Sequence, residues 1–236
     1  MSAKDYLAEQ QAQAESIVQE TADTAKISLI SPLNILFLLA LSTQLYAYLI
    51  HFRHPTSGTR APGYIHFFKI LSTISALATF WPTFIRGEAV RSQGGIGILF
   101  AILSSILFIA SLTLFAWTAS TASPPGRLSV IFGQASPEFV IITGPYQYIR
   151  HPTYVSSAGT WMGCIFLLLS PAHVGDAWFH VSVVSLAGLS WLYREAAEQE
   201  EAEYRVKATR EEVRDKYQEY STRVKERWAP GVERVI

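Results

Sequence analysis

The segment 143–154 holds the residue types in this chain that are best suited to chemistry. It runs Thr-Gly-Pro-Tyr-Gln-Tyr-Ile-Arg-His-Pro-Thr-Tyr, and its Gly-Pro pair indicates a turn. A residue before proline is pushed out of the helical region, so His151 ends any incoming helix, while Pro152 suits the first turn of the next helix. Arg150 and His151 would then lie at a helix N-terminus, where free backbone N–H groups attract a carboxylate or a phosphate.

Arg194 and Glu198 form a second candidate pair. They are four residues apart and share one face if the helix continues past the last apolar segment. An arginine can bind a carboxylate through two parallel hydrogen bonds, and a nearby glutamate can accept hydrogen bonds from hydroxyls or an ammonium group. Both sites have structural alternatives that the residues leave open. In the structural alternative for the first site, Arg150 anchors the chain at the membrane interface within a belt of aromatic residues. In that for the second, the Arg194–Glu198 pair is a surface contact worth about 0.2–0.5 kcal/mol.

The composition places both candidates on a membrane protein. Half of the 236 residues are hydrophobic and 16% are charged, against about 25% charge in soluble domains. The net charge of zero gives no support to nucleic-acid binding, which requires a basic face. Cys164 is the single cysteine, which excludes an internal disulfide and a multi-cysteine metal site. The histidines show no ligand spacing, so no metal is expected.

Five apolar segments predict an all-α integral membrane protein with about five transmembrane helices and a polar C-terminal helix. A spanning helix needs about 20 mostly apolar residues. The segments are 27–50, 64–85, 94–120, 154–169 and 178–193. The last two are short and are expected to form a closely packed hairpin. Lys69 lies near the start of the second segment, where its ammonium group is expected to snorkel to the interface.

Three regions follow from this pattern: a polar arm over 1–26, three transmembrane helices over 27–120, and a candidate catalytic region over 121–236. The tail from 194 to 227 holds nine basic and ten acidic side chains, half of the protein's charge. Its apolar residues at 213, 217, 220 and 224 follow one helix face, so an amphipathic helix is expected to run up to Trp228. The distribution of Lys and Arg favours a cytoplasmic tail.

A series of motifs occupies the region 127–232. It comprises Thr143-Gly144-Pro145-Tyr146, Arg150-His151-Pro152-Thr153-Tyr154, two hydrophobic segments, Arg194-x-x-x-Glu198, Tyr217-x-x-Tyr220 and Pro230-Gly231. This series resembles the isoprenylcysteine carboxyl methyltransferases, integral membrane enzymes of the endoplasmic reticulum and their prokaryotic relatives. Phospholipid N-methyltransferases and membrane sterol reductases have similar Arg-His-Pro-x-Tyr motifs.

The resemblance implies S-adenosylmethionine as the cofactor and a multi-pass location in the endoplasmic reticulum membrane. The partners it implies are the lipid bilayer and prenylated CaaX-type proteins after proteolysis, which would be methylated on the prenylcysteine carboxylate. It implies that Arg194 is the catalytic residue that binds this carboxylate. The cofactor-binding residues that it implies are Glu138, Phe139, Val140, Ile141, Tyr146, His151, Pro152, Thr153, Tyr154 and Glu198.

The chain departs from the family pattern in the longer spacing between Glu198 and Tyr217 and at two residue positions. Ser156 stands where many members have glycine. The usual Glu-Glu after the arginine is here Glu198-Gln199, and a second pair follows at Glu200-Glu201. Glu198 is favoured as the cofactor residue because its spacing from Arg194 matches. The alternative functions are a phospholipid or small-lipid methyltransferase, a membrane sterol-type reductase, and a membrane scaffold without enzymatic activity.

Overall fold

A computed structural model of the protein describes residues 10, 13–17, 32–53, 62–80, 94–123, 128, 139–169, 177–206 and 210–228. This part of the chain is all-helical, as the sequence predicts, and residues 13–17 of the N-terminal arm are helical too. The long helices are α1 (Pro32–Arg53), α2 (Pro62–Phe80), α3 (Gly94–Thr121), α4 (Pro152–Leu168), α5 (Ala177–Val206) and α6 (Glu211–Arg223). A short 3₁₀ helix, Gly144–Gln147, precedes α4.

Helices α1 to α5 each overlap one of the five apolar segments. Two of them are long and apolar enough to span a membrane, over Pro32–Leu49 in α1 and Gly95–Thr121 in α3. Large aliphatic side chains such as Leu39 and Ile106 are exposed on the outside of these two helices, whereas Asn34 is buried. Apolar residues outside and polar residues inside are the reverse of the arrangement in a soluble protein. A count of five transmembrane helices stays a prediction.

Helices α3 and α4 pack closely because small residues line their contact. A Cβ atom on Gly163 would lie 2.7 Å from the Phe108 ring, and one on Gly159 would collide with the Ser111 hydroxyl. Two glycines four residues apart allow close helix approach of the kind seen between membrane helices. The Ser104 hydroxyl also donates to the carbonyl oxygen of Gly163 at 2.9 Å.

Ser156, the departure from the family pattern, has a structural task in this contact. Its buried hydroxyl donates to the carbonyl oxygen of Ser111 at 2.8 Å. A glycine at this position would have no hydroxyl to donate. Because Ser111 contacts Ser156 while Ser104 contacts Gly163, helices α3 and α4 run antiparallel.

Helix α5 packs on α2 and α4 and continues without a break into the polar tail. Gly188 of α5 lies directly against the Phe68 ring of α2. The α4–α5 contact that the hairpin prediction requires is present, but the connecting residues 170–176 lie outside the described residues. The snorkelling expectation for Lys69 is wrong. Its side chain is buried, with Nζ 4.9 Å from the centre of the Tyr48 ring of α1.

The predicted apolar face of the tail is confirmed, since Val213, Tyr217, Tyr220 and Val224 are all buried. The prediction of one helix as far as Trp228 is wrong. Helix α6 ends at Arg223, and residues 224–228 are non-helical. The reason is a competing set of hydrogen bonds: carbonyl oxygens of this segment accept the backbone N–H groups of residues 150 and 151.

Candidate functional site

The turn that opens the site depends on Gly144. Its φ of 60° lies in the left-handed region, and a Cβ atom there would collide with Thr121 at the end of α3. Glycine is the residue that adopts this conformation without strain. The 3₁₀ helix therefore begins against α3, and α4 begins at Pro152 with His151 as its N-cap, as the sequence predicts.

Glu201 is the centre of a buried ion cluster at this helix start. The residue is 2% exposed, and its Oε1 lies 2.9 Å from Nη1 of Arg150 and 3.2 Å from Nε2 of His151. Arg227 donates to both carboxylate oxygens, from Nε and Nη2 at 3.0 Å each. A two-pronged arginine–carboxylate contact is the strong form of such a pair. A helix N-terminus attracts a carboxylate, and at α4 Glu201 of the same chain supplies it.

Charge keeps this cluster ionised despite its burial. Burial alone raises the pKa of Glu201, but the hydrogen bonds from His151 and Arg227 and the charges of Arg150 and His151 outweigh it and lower the pKa to about 2. Burial lowers the pKa of His151, and the adjacent carboxylates of Glu200 and Glu201 raise it above its ordinary value. The cluster therefore favours a carboxylate at Glu201 and an imidazolium at His151.

Backbone contacts fasten the end of the tail to the same turn. The N–H of Arg150 donates to the carbonyl oxygen of Glu226 at 3.0 Å. The N–H of His151 donates to the carbonyl oxygen of Arg227 at 3.2 Å. This pairing brings the Trp228 ring to 5.7 Å from the His151 ring, so the tail covers the start of α4.

Tyrosines of α5 and α6 hold the segment before the turn. The Tyr220 hydroxyl donates to the carbonyl oxygen of Tyr146 at 2.9 Å, and the Tyr204 hydroxyl donates to that of Phe139 at 3.0 Å. The rings of Tyr204 and Tyr217 are stacked, with centres 4.4 Å apart. Two parts of the chain far apart in sequence are therefore joined at one place.

A groove of about 530 Å³ lies beside this cluster. Its walls are mainly apolar side chains of α3, α4 and α5, together with the Trp228 ring. Tyr154 and Tyr193, whose rings are stacked with centres 5.4 Å apart, form part of the wall. Arg194 is the charged residue of the groove lining. An apolar cavity with one convergent charge fits an amphiphile with an anionic head group.

The pair of Arg194 and Glu198 forms as predicted. Nε of Arg194 donates to Oε1 of Glu198 at 3.2 Å, and the side chains are 69% and 43% exposed. The guanidinium has five N–H donors, and within the described part of the chain this bond uses one. Oε1 of Glu198 also lies 3.8 Å from Nη1 of Arg227. A chain of charges therefore links the groove to the buried cluster.

The structure brings most of the predicted cofactor residues together. Tyr146, His151, Pro152, Thr153 and Tyr154 are buried around the start of α4. Phe139 is half-buried, while Val140 and Ile141 are half-buried against the tyrosines of α5 and α6. Glu138 lies outside the described residues.

Two glutamates other than Glu198 face the turn. Oε2 of Glu200 lies 3.4 Å from Nδ1 of His151 and accepts a long hydrogen bond of 3.5 Å from the Tyr154 hydroxyl, while Glu201 contacts His151 as described above. Glu198 instead contacts Arg194 and Arg227. Spacing from Arg194 thus selects a glutamate that contacts Arg194 and Arg227, not one that contacts His151.

Sequence reasoning missed Arg227 and Trp228. Both contact the site from the far end of the tail, and no pattern separates Arg227 from the other basic residues of that tail. Trp228 precedes the Pro-Gly pair that the motif series includes. This position is the one available signal, and by itself it predicts a helix end.

The arrangement can bind two kinds of charge side by side. Arg194 beside an apolar groove suits an anionic head group with an apolar chain. The Trp228 ring and the carboxylate of Glu200, which both lie beside Tyr154, suit a cation such as a sulfonium or an ammonium. Comparison of the chain with family models, curated proteins and solved structures finds no match.

Proposed function

We propose that the protein is an S-adenosylmethionine-dependent methyltransferase that esterifies the C-terminal prenylcysteine carboxylate of prenylated proteins at a membrane interface. The observation that supports this most is the apolar groove with Arg194 in its lining, directly beside the aromatic residues and carboxylates around His151. An acceptor with an apolar chain and a carboxylate matches the groove and Arg194. A cationic methyl donor matches the aromatic residues and carboxylates around His151.

Arg194 would orient the acceptor. A C-terminal carboxylate is ionised near pH 7, so it needs no general base, and a guanidinium with donors to spare can bind it through two bonds. Burial of the prenyl chain in the groove would contribute about 0.8 kcal/mol per methylene. Holding the carboxylate oxygen in line with the donor methyl group supplies much of the rate enhancement.

The residues around His151 fit S-adenosylmethionine by their chemistry. Glu200 would accept hydrogen bonds from a cationic or hydroxyl group, and the Trp228 ring would lie against the sulfonium. When bound, S-adenosylmethionine supplies a methyl group whose C–S bond breaks as the carboxylate oxygen forms the new C–O bond, leaving a neutral thioether. Glu201 would hold the turn and the tail in place around this position.

We also propose the multi-pass membrane topology for the proposed enzyme. Helices α1 to α5 would cross or enter the bilayer, and the exposed aliphatic side chains on α1 and α3 would face lipid. The tail would then lie on the cytoplasmic side of the endoplasmic reticulum membrane, where prenylated proteins reach it. The groove would be open to the chain from the bilayer and to the cofactor from the water.

The test is a methyl-transfer assay with the full-length protein in lipid vesicles and S-adenosylmethionine labelled on its methyl group. S-farnesylcysteine, acylated on its amino group, serves as the acceptor, and its methyl ester is the control because its carboxylate is blocked. We expect a base-labile labelled ester from the free acid alone. Label in phosphatidylethanolamine, with none in the prenylcysteine, would overturn the proposal in favour of a phospholipid methyltransferase. An amine acceptor would give Arg194 no carboxylate to bind.

A further inference from the structure

The groove has a polar end and an apolar end. Tyr154 lies in the first turn of α4, and Met162 follows eight residues later, which places it about 12 Å further along the helix axis at about 1.5 Å per residue. Tyr193 stacks on Tyr154, so the neighbouring Arg194 lies at the level of Tyr154. The Trp228 ring, 6.3 Å from the Tyr154 ring, lies at the same end.

The contacts between α3 and α4 place Leu107 at the other end. Ser111 of α3 contacts Ser156, and Ser104 contacts Gly163. Leu107 lies between those two serines in the sequence and lines the groove. Because the helices are antiparallel, Leu107 lies close to the level of Met162 and away from Arg194.

We propose that Met162, with Leu107 on the opposite helix, sets the length of the prenyl chain that the groove accepts. This inference rests on the proposed function. An acceptor whose carboxylate is bound by Arg194 must extend its chain past Ala158, which presents a single methyl group, before it reaches the larger side chain of Met162. Met162 is 40% exposed, and an unbranched thioether side chain can move to fit chains of different length.

The test compares acylated cysteines with S-geranyl, S-farnesyl and S-geranylgeranyl chains as acceptors. Relative to the wild type, Met162→Ala should shift the ratio of kcat/KM values for geranylgeranyl over farnesyl upward by about tenfold. Met162→Trp should shift the ratio downward by about tenfold, because a single methylene in an apolar pocket changes specificity by that order. Ile106→Trp is the matched control, since Ile106 adjoins Leu107 but is 56% exposed and lies outside the groove lining.

The outcomes separate this inference from the proposed function. Turnover of prenylcysteine by the wild type, together with the same length profile in all three variants, would overturn the role of Met162 and leave the methyltransferase proposal standing. Wild-type protein that methylates no prenylcysteine would overturn both.

A second measurement does not depend on how well the variants fold or turn over. A farnesylcysteine with a diazirine at the far end of its chain is photolysed with the wild-type protein, and the labelled residue is mapped by mass spectrometry. We expect label on the α3 or α4 peptide that contains Leu107 or Met162. Label at Tyr154 or Trp228 would reverse the direction of the chain and overturn the inference.

Discussion

Glu198 and Glu201 lie one turn apart on α5, yet their surroundings differ sharply. The side chain of Glu201 is 3% exposed and contacts Arg150, His151 and Arg227, whereas that of Glu198 is 43% exposed. A buried carboxylate costs folding free energy unless charged partners surround it, and Glu201 has them. Glu198 remains in water beside Arg194. The contrast separates two tasks: Glu201 joins the turn to the tail, and the region of Arg194 and Glu198 is available to a ligand.

Glu201→Ala is the strongest test of this difference between the two glutamates. The variant leaves the buried side chains of Arg150 and His151 and the half-buried side chain of Arg227 without this carboxylate, so we expect a loss of about 3–5 kcal/mol in unfolding free energy. Thermal unfolding in detergent, followed by circular dichroism, measures it. Glu198→Ala is the matched control, and its exposed pair should contribute at most about 1 kcal/mol. Equal losses in both variants would refute the difference between the two glutamates.

The pH dependence of stability tests the same cluster. The pKa of Glu201 is lowered to about 2, so its contribution is complete above about pH 4.5 and is lost as the pH falls toward 2. The pKa of His151 is raised above 6.5, so its contribution is complete below about pH 6.5 and is lost as the pH rises through the raised value. Between pH 3 and pH 9, the melting temperature should therefore be highest at intermediate pH and should decrease toward both ends of the range. In His151→Gln the alkaline decrease should disappear, and its persistence would refute this assignment.

A smaller effect is expected from replacing the glutamate that contacts the cofactor. Because Glu200 faces His151 and Tyr154, we expect Glu200→Gln to weaken S-adenosylmethionine binding about tenfold, or about 1.4 kcal/mol. Glu198→Gln, which alters the pair with Arg194, should change the Kd much less. Isothermal titration calorimetry of both variants measures it. The opposite ranking would return the cofactor role to Glu198, as the motif spacing predicts.

The smallest effect concerns a buried polar group remote from the charges. Ser156→Ala removes the hydrogen bond to the Ser111 carbonyl, and such bonds between membrane helices average about 0.6 kcal/mol. A decrease of a few degrees at most in melting temperature is expected. Ser105→Ala is the control, since the Ser105 hydroxyl bonds to Ala101 within its own helix. A larger decrease for Ser105→Ala would show that the α3–α4 contact does not depend on Ser156.

Local patterns predicted much of the fold, because they depend on neighbouring residues. Apolar runs located the helices, Pro152 marked the start of α4, and the spacing of Val213, Tyr217 and Tyr220 gave the buried face of α6. The partners of Glu201 were not predictable in this way. Arg227 is 26 residues away along the chain, and which glutamate meets it depends on how α5, α6 and the tail pack together. The burial of Lys69 is not predictable for the same reason, since the ring that lies over its ammonium group belongs to Tyr48 of another helix.

The most direct test of the account measures Arg194→Ala for both turnover and stability in one preparation. Arg194 lines the groove but lies outside the buried cluster, so we predict that kcat/KM for the prenylcysteine falls by about a hundredfold, the loss expected for a charged hydrogen-bonded contact. The melting temperature should stay close to that of the wild type, since the exposed pair contributes at most about 1 kcal/mol. Undiminished methyl transfer by Arg194→Ala, or a loss of stability as large as that of Glu201→Ala, would contradict the account.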